Sequence, residues 1–170
     1  MKNDVILYPN ARKLNSFREF VEDTAIKYPT KNAFIIKEKI EANPKYKYIT
    51  YTDLKNDVDA FGQGLINLGL RGKRIAIIGK NSYEWALTYV TVLSSVGISV
   101  PLDKGLQAQE IESLLIRGKA DCIVFDDAYI DIITDIKNKN TTVLTNYICM
   151  KKNGAGYTTM DEVIAIGKKE

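Results

Sequence analysis

The sequence predicts an α/β fold: a mainly parallel sheet flanked by helices on both faces, with an amino-terminal helix and a β-hairpin. The first observation is that short apolar segments alternate with helical-period segments of ten or more residues from residue 74 onward. The second is that such connections form right-handed crossovers, which place helices on both faces of a parallel sheet. The third is the size: 170 residues, 45% of them hydrophobic, suit one domain with a sizeable core.

The amino-terminal elements follow from capping and periodicity. Asn15-Ser16 precedes apolar residues at helical spacing and predicts a helix that ends near Tyr28, before Pro29. Residues 32–40 and 46–51 are typical of two strands of a hairpin joined by a turn at 41–47. Thr50 or Thr52 then caps a helix whose apolar stripe runs to residue 68, with Gly69 as a C-cap.

The remaining elements alternate between strand and helix. Strands are predicted at Arg74–Ile78, Ser99–Leu102, Cys122–Phe125 and Thr142–Leu144. Helices are predicted at Ser82–Ser95, at Gln107–Arg117 with Gly118 ending it, around 129–136, and at Glu162–Gly167 with Asp161 as its cap. The segment Tyr147–Tyr157 is rich in Lys, Asn and Gly and predicts a loop.

Composition excludes several function classes. The 24 basic and 21 acidic residues give a net charge of +3 without a dense basic patch, so nucleic acid is not an expected partner. No apolar run approaches the roughly 20 residues of a membrane span, and the start lacks a secretory signal, so we expect a cytoplasmic protein. Cys122 and Cys149 lack metal-ligand spacing, and Cys122 lies in an apolar run typical of a buried free thiol.

The chain contains no histidine. Ser-His and Cys-His nucleophile pairs are therefore impossible within it, as is a His-Glu-x-x-His zinc site. Any catalysis by these residues would depend on carboxylates, lysines, tyrosines or a supplied metal.

Gly79-Lys80-Asn81-Ser82, directly after an apolar strand, is a candidate phosphate loop. A P-loop that ended at Gly79-Lys80 would need glycine at position 74 and a hydroxyl at 81, but the chain has Arg74 and Asn81 there. A glycine-rich dinucleotide loop is also excluded, because Gly79 stands alone. The stretch predicts an ordinary strand-to-helix turn, placed at the strand end where α/β sheets bind ligands.

Asp126-Asp127 is a candidate magnesium site, since paired carboxylates at a strand end can hold that ion. In a phosphoacceptor receiver the pair would follow the first strand, whereas here it follows a late one. Capping of the helix from Ala128 onward explains the pair better.

The stretch from Leu93 to Asp103 is the most distinctive, because Gly97 and Pro101 bracket a short strand that must end or lie at an edge. Leu93-Ser94-Ser95-Val96-Gly97 and Ser99-Val100-Pro101-Leu102-Asp103 resemble a core motif of the adenylate-forming enzymes, the acyl-CoA synthetase and ligase superfamily. Residues 48–78, 80–97, 17–35 and 156–170 are similar to other early segments of that family, most of all in long-chain fatty-acid CoA ligases.

The resemblance implies that residues 1–170 form the amino-terminal subdomain of an AMP-binding domain, truncated before the phosphate loop. It implies a partial domain of a larger ligase that uses ATP, Mg²⁺ and CoA to convert a fatty acid through acyl-AMP to acyl-CoA. The family's phosphate loop, adenine and ribose motifs and catalytic lysine are absent from these 170 residues. We therefore assign no catalytic, cofactor-binding or metal-binding residue, and expect this chain alone to be inactive and to hold no cofactor.

Other interpretations stay open at this point. The chain is alternatively part of an adenylation domain that loads a carrier protein, or a self-contained receiver-like or flavodoxin-like binding module. Arg117 and Lys119 are candidates for contact with a CoA phosphate, although solvated charge near a helix end is the simpler explanation. With its partner subdomain missing, one apolar face would be exposed, so self-association is expected.

Overall fold

The computed structural model describes residues 13–38, 45–151 and 155–169. The helices are α1 (Phe17–Lys27), α2 (Tyr51–Asn67), α3 (Tyr83–Thr91, continued by a π-helical turn at Val92–Val96), α4 (Ala108–Gly118), α5 (Ile130–Lys139) and α6 (Met160–Gly167). The strands are β1 (Asn32–Glu38), β2 (Lys45–Thr50), β3 (Arg74–Ile78), β4 (Ile98–Pro101), β5 (Cys122–Phe125), β6 (Asn146–Cys149) and β7 (Thr158–Thr159). None of the described helices is long and apolar enough to cross a membrane.

Five strands form a parallel sheet in the order β4-β3-β5-β6-β7. The chain passes from β3 outward to β4, then crosses back over β3 to place β5 on its other side. If the five strands of this sheet are renumbered 1 to 5 in chain order, starting from β3, their order in the sheet is 2-1-3-4-5. This is the strand order of flavodoxin-like doubly wound folds. The predicted parallel sheet with helices on both faces is confirmed.

The core consists of one layer on each face of the sheet. On one face, Ile75 and Ile77 of β3 pack with side chains of α2, α3 and α6. On the other face, Ala76 and Ile78 pack with side chains of α4 and α5. Because successive side chains of a strand point to opposite faces, a strand covered on both sides must be apolar at every position, as β3 is from Ile75 onward.

The predicted amino-terminal helix and hairpin are confirmed. Ser16 caps α1 by accepting a hydrogen bond from the Glu19 backbone N–H. β1 and β2 pair antiparallel, with Ile35 opposite Tyr48, and the predicted turn lies largely outside the described residues. Thr50, one of the two predicted caps, starts α2 with a capping box to Asp53, and Gly69 follows its end at φ +78°.

Two predictions near the carboxyl end are wrong. The strand expected at Thr142–Leu144 lies instead at Asn146–Cys149, inside the expected loop Tyr147–Tyr157. The Thr145 N–H donates to the Asp121 carbonyl at 2.9 Å, which sets the register that pairs Asn146 with Cys122. Leu144 is buried because it contacts the α5 side of the core before the strand begins.

Two helix boundaries also differ from the predicted ones. Gly118 is the last residue of α4, and Lys119, at φ 47°, takes the left-handed position that ends the helix. α6 is capped by Thr159, which forms a capping box with Glu162, so Asp161 lies inside the helix. The sequence predicted that α4 ends at Arg117, because Gly118 is a typical residue to end a helix, and that α6 starts at Glu162, because Asp161 is a typical N-cap.

The helices α2 and α6 touch at their backbones. A Cβ atom added at Gly64 would overlap the Val163 carbonyl oxygen, and one added at Gly167 would overlap the Ala60 carbonyl oxygen. The chain can therefore bring α6 this close to α2 only because both positions are glycine.

Candidate functional site

The candidate site is the carboxyl edge of β3 and β5, which we call the switch-point edge and define by Gly79, Lys80, Asp126 and Asp127. Ile78 and Phe125 are register partners, so the residues that follow both strands emerge side by side. The Asp126 N–H donates to the Ile78 carbonyl at 3.0 Å and extends the pairing by one residue. In doubly wound sheets this is where the crossovers diverge and ligands bind.

Gly79 is required by the closeness of β5. A Cβ atom at this position would lie 2.9 Å from the Asp126 Cβ and 3.5 Å from the Met150 Sδ. The turn that follows is an ordinary helix entry, as predicted, because the Ser82 hydroxyl accepts from the Trp85 N–H at 3.2 Å.

Asp126 is almost completely buried, with 1% of its surface exposed. Its Oδ1 accepts from the Ala128 N–H at 3.2 Å, which confirms the predicted capping role. Its Oδ2 has no hydrogen-bond partner among the described residues, and the Lys80 Nζ lies 3.8 Å away. Burial raises the pKa of Asp126, and the adjacent Asp127 carboxyl raises it further.

Asp127 is exposed and has the opposite shift. Its interaction with Asp126 lowers the pKa of Asp127, and the positive charges of Lys80 and Lys151 act in the same direction. Of the two neighbouring carboxyls, Asp126 is therefore the one that takes up a proton first as the pH falls.

A second ion pair borders this edge. Lys151, just after β6, donates to Glu84 in the first turn of α3 at 3.2 Å. Burial alone would raise the pKa of Glu84, but its backbone hydrogen bond and the charge of Lys151 leave that pKa lowered. Together with this pair, the charged groups at and beside the switch-point edge are two lysines and three carboxylates.

This cluster does not fit Mg²⁺ or a triphosphate. The unpaired Asp126 oxygen faces an ammonium group, and no group of three or more Cys, Asp or Glu side chains within the described ranges is placed to hold a metal ion. A triphosphate needs a loop of several converging backbone N–H groups, whereas this turn has a single glycine. The arrangement can offer hydrogen bonds and charge to a polar group next to it.

The end of β4 lies next to this edge. The Leu102 N–H donates to the Ile77 carbonyl at 2.8 Å, and Pro101 is exposed on the edge strand, as its missing N–H predicted. Asp103 accepts from the Gly105 N–H at 2.6 Å, and the Tyr129 hydroxyl donates to the Lys104 carbonyl at 2.7 Å. These contacts tie the loop after β4 to the start of α5.

Sequence reasoning missed an aromatic groove beside the switch-point edge. Its volume is about 650 Å³, and β1 and the start of α3 form its walls. Phe34 packs edge-on against Tyr83 at 5.2 Å, and the Tyr83 hydroxyl donates to Asp57 at 2.7 Å. Burial and Asp57 raise the pKa of Tyr83. The aromatic residues Tyr83 and Trp85 were the available sequence signal, but they line a groove only because the hairpin packs beside them.

Other sequence candidates lie away from this edge. Arg117 and Lys119 are exposed at the end of α4, which returns to the amino edge of the sheet, so the structure does not bring them to Gly79 or Asp126. Cys122 and Cys149 are free and buried, and burial raises the pKa of both thiols. The expectation of a buried Cys122 is confirmed.

The fold is that of the amino-terminal region of an adenylate-forming enzyme. The family model for AMP-binding enzymes matches residues 21–162, and the chain belongs to that family. The chain is 30% identical over 171 residues to the mitochondrial medium-chain acyl-CoA ligase ACSF2 of Rattus norvegicus. That match covers 89% of this chain but 27% of the relative, so the chain spans about a quarter of its length.

Solved structures agree on the fold. A long-chain-fatty-acid-CoA ligase (FadD1) from Archaeoglobus fulgidus superposes with a TM-score of 0.76 at 17% identity, over 91% of this chain and 30% of that one. The anthranilate CoA ligase AuaEII gives 0.76 at 18% identity, over 92% and 28%. The resemblance to acyl-CoA ligases is thereby confirmed, and the family match favours a ligase over a receiver-like or flavodoxin-like module.

Proposed function

We propose that residues 1–170 form the amino-terminal subdomain of an ATP-dependent acid–CoA ligase, ahead of that enzyme's phosphate loop. The observation that supports this most strongly is the AMP-binding family match over residues 21–162. The name of the rat relative, a medium-chain acyl-CoA ligase, favours CoA over a carrier protein as the acceptor and a fatty acid of medium chain length as the substrate.

The proposed reaction has two steps. The acid's carboxylate attacks the α-phosphate of ATP, which releases pyrophosphate and forms acyl-AMP. The CoA thiol then attacks the acyl carbon and displaces AMP. Mg²⁺ would neutralise developing phosphate charge, but the switch-point edge does not fit it, so we assign that ion to no residue of this chain.

The contribution of these residues is architectural. The switch-point edge provides one polar wall, rigid because it extends two buried strands, and the aromatic groove lies next to it. Groups on such an edge orient a neighbouring reactant without taking part in bond making. We propose that this chain alone neither holds ATP, Mg²⁺ or CoA nor catalyses adenylation.

Location and association are also proposals. We propose a cytoplasmic protein, although the rat relative's name places that relative in mitochondria. We further propose self-association, because large apolar side chains are exposed on α1 and on the outer face of the hairpin; these are Phe17, Phe20, Ile26, Ile35, Tyr46 and Tyr48.

The function is tested by acid-dependent exchange of labelled pyrophosphate into ATP. We expect exchange with octanoate from the product of the complete reading frame that encodes this chain, and none from residues 1–170. Thioester formation is then compared with CoA and with a phosphopantetheine-bearing carrier protein; we expect CoA to be used. Exchange by residues 1–170 above a no-protein control would contradict the proposal, as would a reading frame that encodes nothing after residue 170.

A further inference from the structure

A cavity of about 640 Å³ lies at the amino edge of the sheet, at the opposite end from the switch-point edge. We call it the amino-edge cavity and define its walls by α1, α2, the π-helical turn after α3, the end of α6 and the turn before β3. The Gly72 N–H donates to the Val96 carbonyl at 2.7 Å, which ties the turn before β3 to the end of the π-helical turn. The volume is in the range of small-molecule sites.

The walls of this cavity carry excess positive charge. Three cationic side chains line it, Arg18, Arg71 and Lys168, against one carboxylate, Asp59. Arg18 is occupied by ion pairs with Asp59 and Glu22. Arg71 and Lys168 make no ion pair or side-chain hydrogen bond within residues 13–38, 45–151 and 155–169. Two cationic side chains without an ion-pair partner on one concave surface favour the binding of an anion.

A buried hydroxyl in the same wall also lacks a partner. Thr91 has no exposed surface, and its Oγ1 makes no hydrogen bond among the described residues. Buried polar groups are normally hydrogen-bonded, so an unpaired hydroxyl in a cavity wall points to a ligand group. Thr91 directly precedes the π-helical turn Val92–Val96, a local departure from the helix of the kind found often at functional sites.

The remaining wall residues suit the uncharged part of a ligand. Val58, Ile66 and Val96 supply apolar surface, and the Ser94 hydroxyl, which donates to the Val90 carbonyl at 2.8 Å, keeps its acceptor capacity. A ligand of matching chemistry has an oxyanion at one end and a compact, partly apolar body at the other.

We propose that the amino-edge cavity binds a small molecule bearing a phosphate or carboxylate group. Arg71 and Lys168 contact the oxyanion, the Thr91 hydroxyl hydrogen-bonds to the ligand, and Ile66 and Val96 contact its body. This site is separate from the switch-point edge within this chain, and it does not depend on the proposed ligase function.

The test uses the 170-residue chain with three probes that share one ring: phenyl phosphate, benzoate and neutral benzyl alcohol. Isothermal titration calorimetry at low salt is expected to show saturable binding of at least one anion with Kd of about 1 mM or tighter, and none of the alcohol. Binding of phenyl phosphate alone assigns a phosphate ligand, and binding of benzoate alone assigns a carboxylate. Equal binding of the alcohol, or no anion binding at about 10 mM, would overturn the proposal.

Substitutions in the cavity wall test which residues contact the bound anion. The double variant R71Q/K168Q is expected to bind at least about tenfold more weakly, since it removes two charge-assisted contacts. The control variant K104Q/R117Q removes the same charge from exposed positions elsewhere and should bind as the parent does. T91V keeps the side-chain shape and should weaken binding about threefold. Unchanged binding by R71Q/K168Q would refute the site, and unchanged binding by T91V would refute the role given to its hydroxyl.

Discussion

Gly79 and Asp126 lie against each other where β3 and β5 end, so close that a Cβ atom at position 79 would come within 2.9 Å of the Asp126 Cβ. Each follows its own strand, and they are 47 positions apart in the sequence. The contact exists because β4 lies outside β3, which leaves β5 as the other neighbour of β3. It defines the switch-point edge.

The first prediction concerns this contact. Gly79→Ala should lower the free energy of unfolding by about 1–3 kcal/mol, because the added methyl group pushes β5 away from β3. Gly118→Ala is the matched control: its Cβ would lie 3.8 Å from Val100, an ordinary contact, at a helical position where alanine is favoured. Urea denaturation of both variants measures the difference. Equal stability of the two variants would refute the close approach.

The second prediction concerns the backbone contact of α2 and α6. Gly167→Ala should lower the free energy of unfolding by at least about 2 kcal/mol, since its methyl group would overlap the Ala60 carbonyl, and backbone adjusts less readily than a side chain. Gly64→Ala, on the facing helix, should do the same. Chemical denaturation curves provide the measurement, again with Gly118→Ala as the control. A loss below about 0.5 kcal/mol for both variants would contradict the packing.

The third prediction concerns pH. The pKa of Asp126 is raised in the folded chain, so its charged form opposes folding at neutral pH, and this effect disappears as the pH falls through the raised pKa. Asp126→Asn removes the titration. As the pH falls across the acidic range, the free energy of unfolding of the parent should therefore rise relative to that of the variant.

Asp127→Asn is the matched comparison for that experiment. The pKa of Asp127 is lowered, so its contribution is stabilising at neutral pH and is lost as the pH falls through the lowered value. The two variants should thus show opposite pH trends relative to the parent. Parallel trends between pH 7 and pH 3 would show that Asp126 is not the carboxyl with the raised pKa.

The fourth prediction concerns self-association. Ile35 and Tyr48 are cross-strand partners on the outer face of the hairpin, with 60% and 57% of their surfaces exposed. Light scattering should show a mass that rises with concentration, and I35K/Y48K should lower it towards that of the monomer, since charge disfavours an apolar interface. Val143→Lys, at an equally exposed residue elsewhere, should not. A monomeric parent chain at all concentrations would contradict this prediction.

Local sequence patterns predicted most of the fold and little of the candidate site. β3 and β5 were predictable because every position after the first residue of β3, and every position of β5, is apolar and buried. β6 was missed because Asn146 and the following Lys- and Asn-rich residues have the composition of a loop, while its pairing with β5 depends on tertiary contacts. Gly79 and Asp126 were each noticed, but their contact depends on strand order, which no local pattern contains.

The proposed function depends most on one expectation: that the switch-point edge of this chain holds no triphosphate and that residues outside this chain bind ATP. Isothermal titration calorimetry of MgATP into residues 1–170 tests this directly. We expect no saturable heat up to about 1 mM MgATP, a concentration at which a working nucleotide site would be largely filled. Saturable binding at a stoichiometry near one, weakened by Lys80→Gln, would contradict the proposed function.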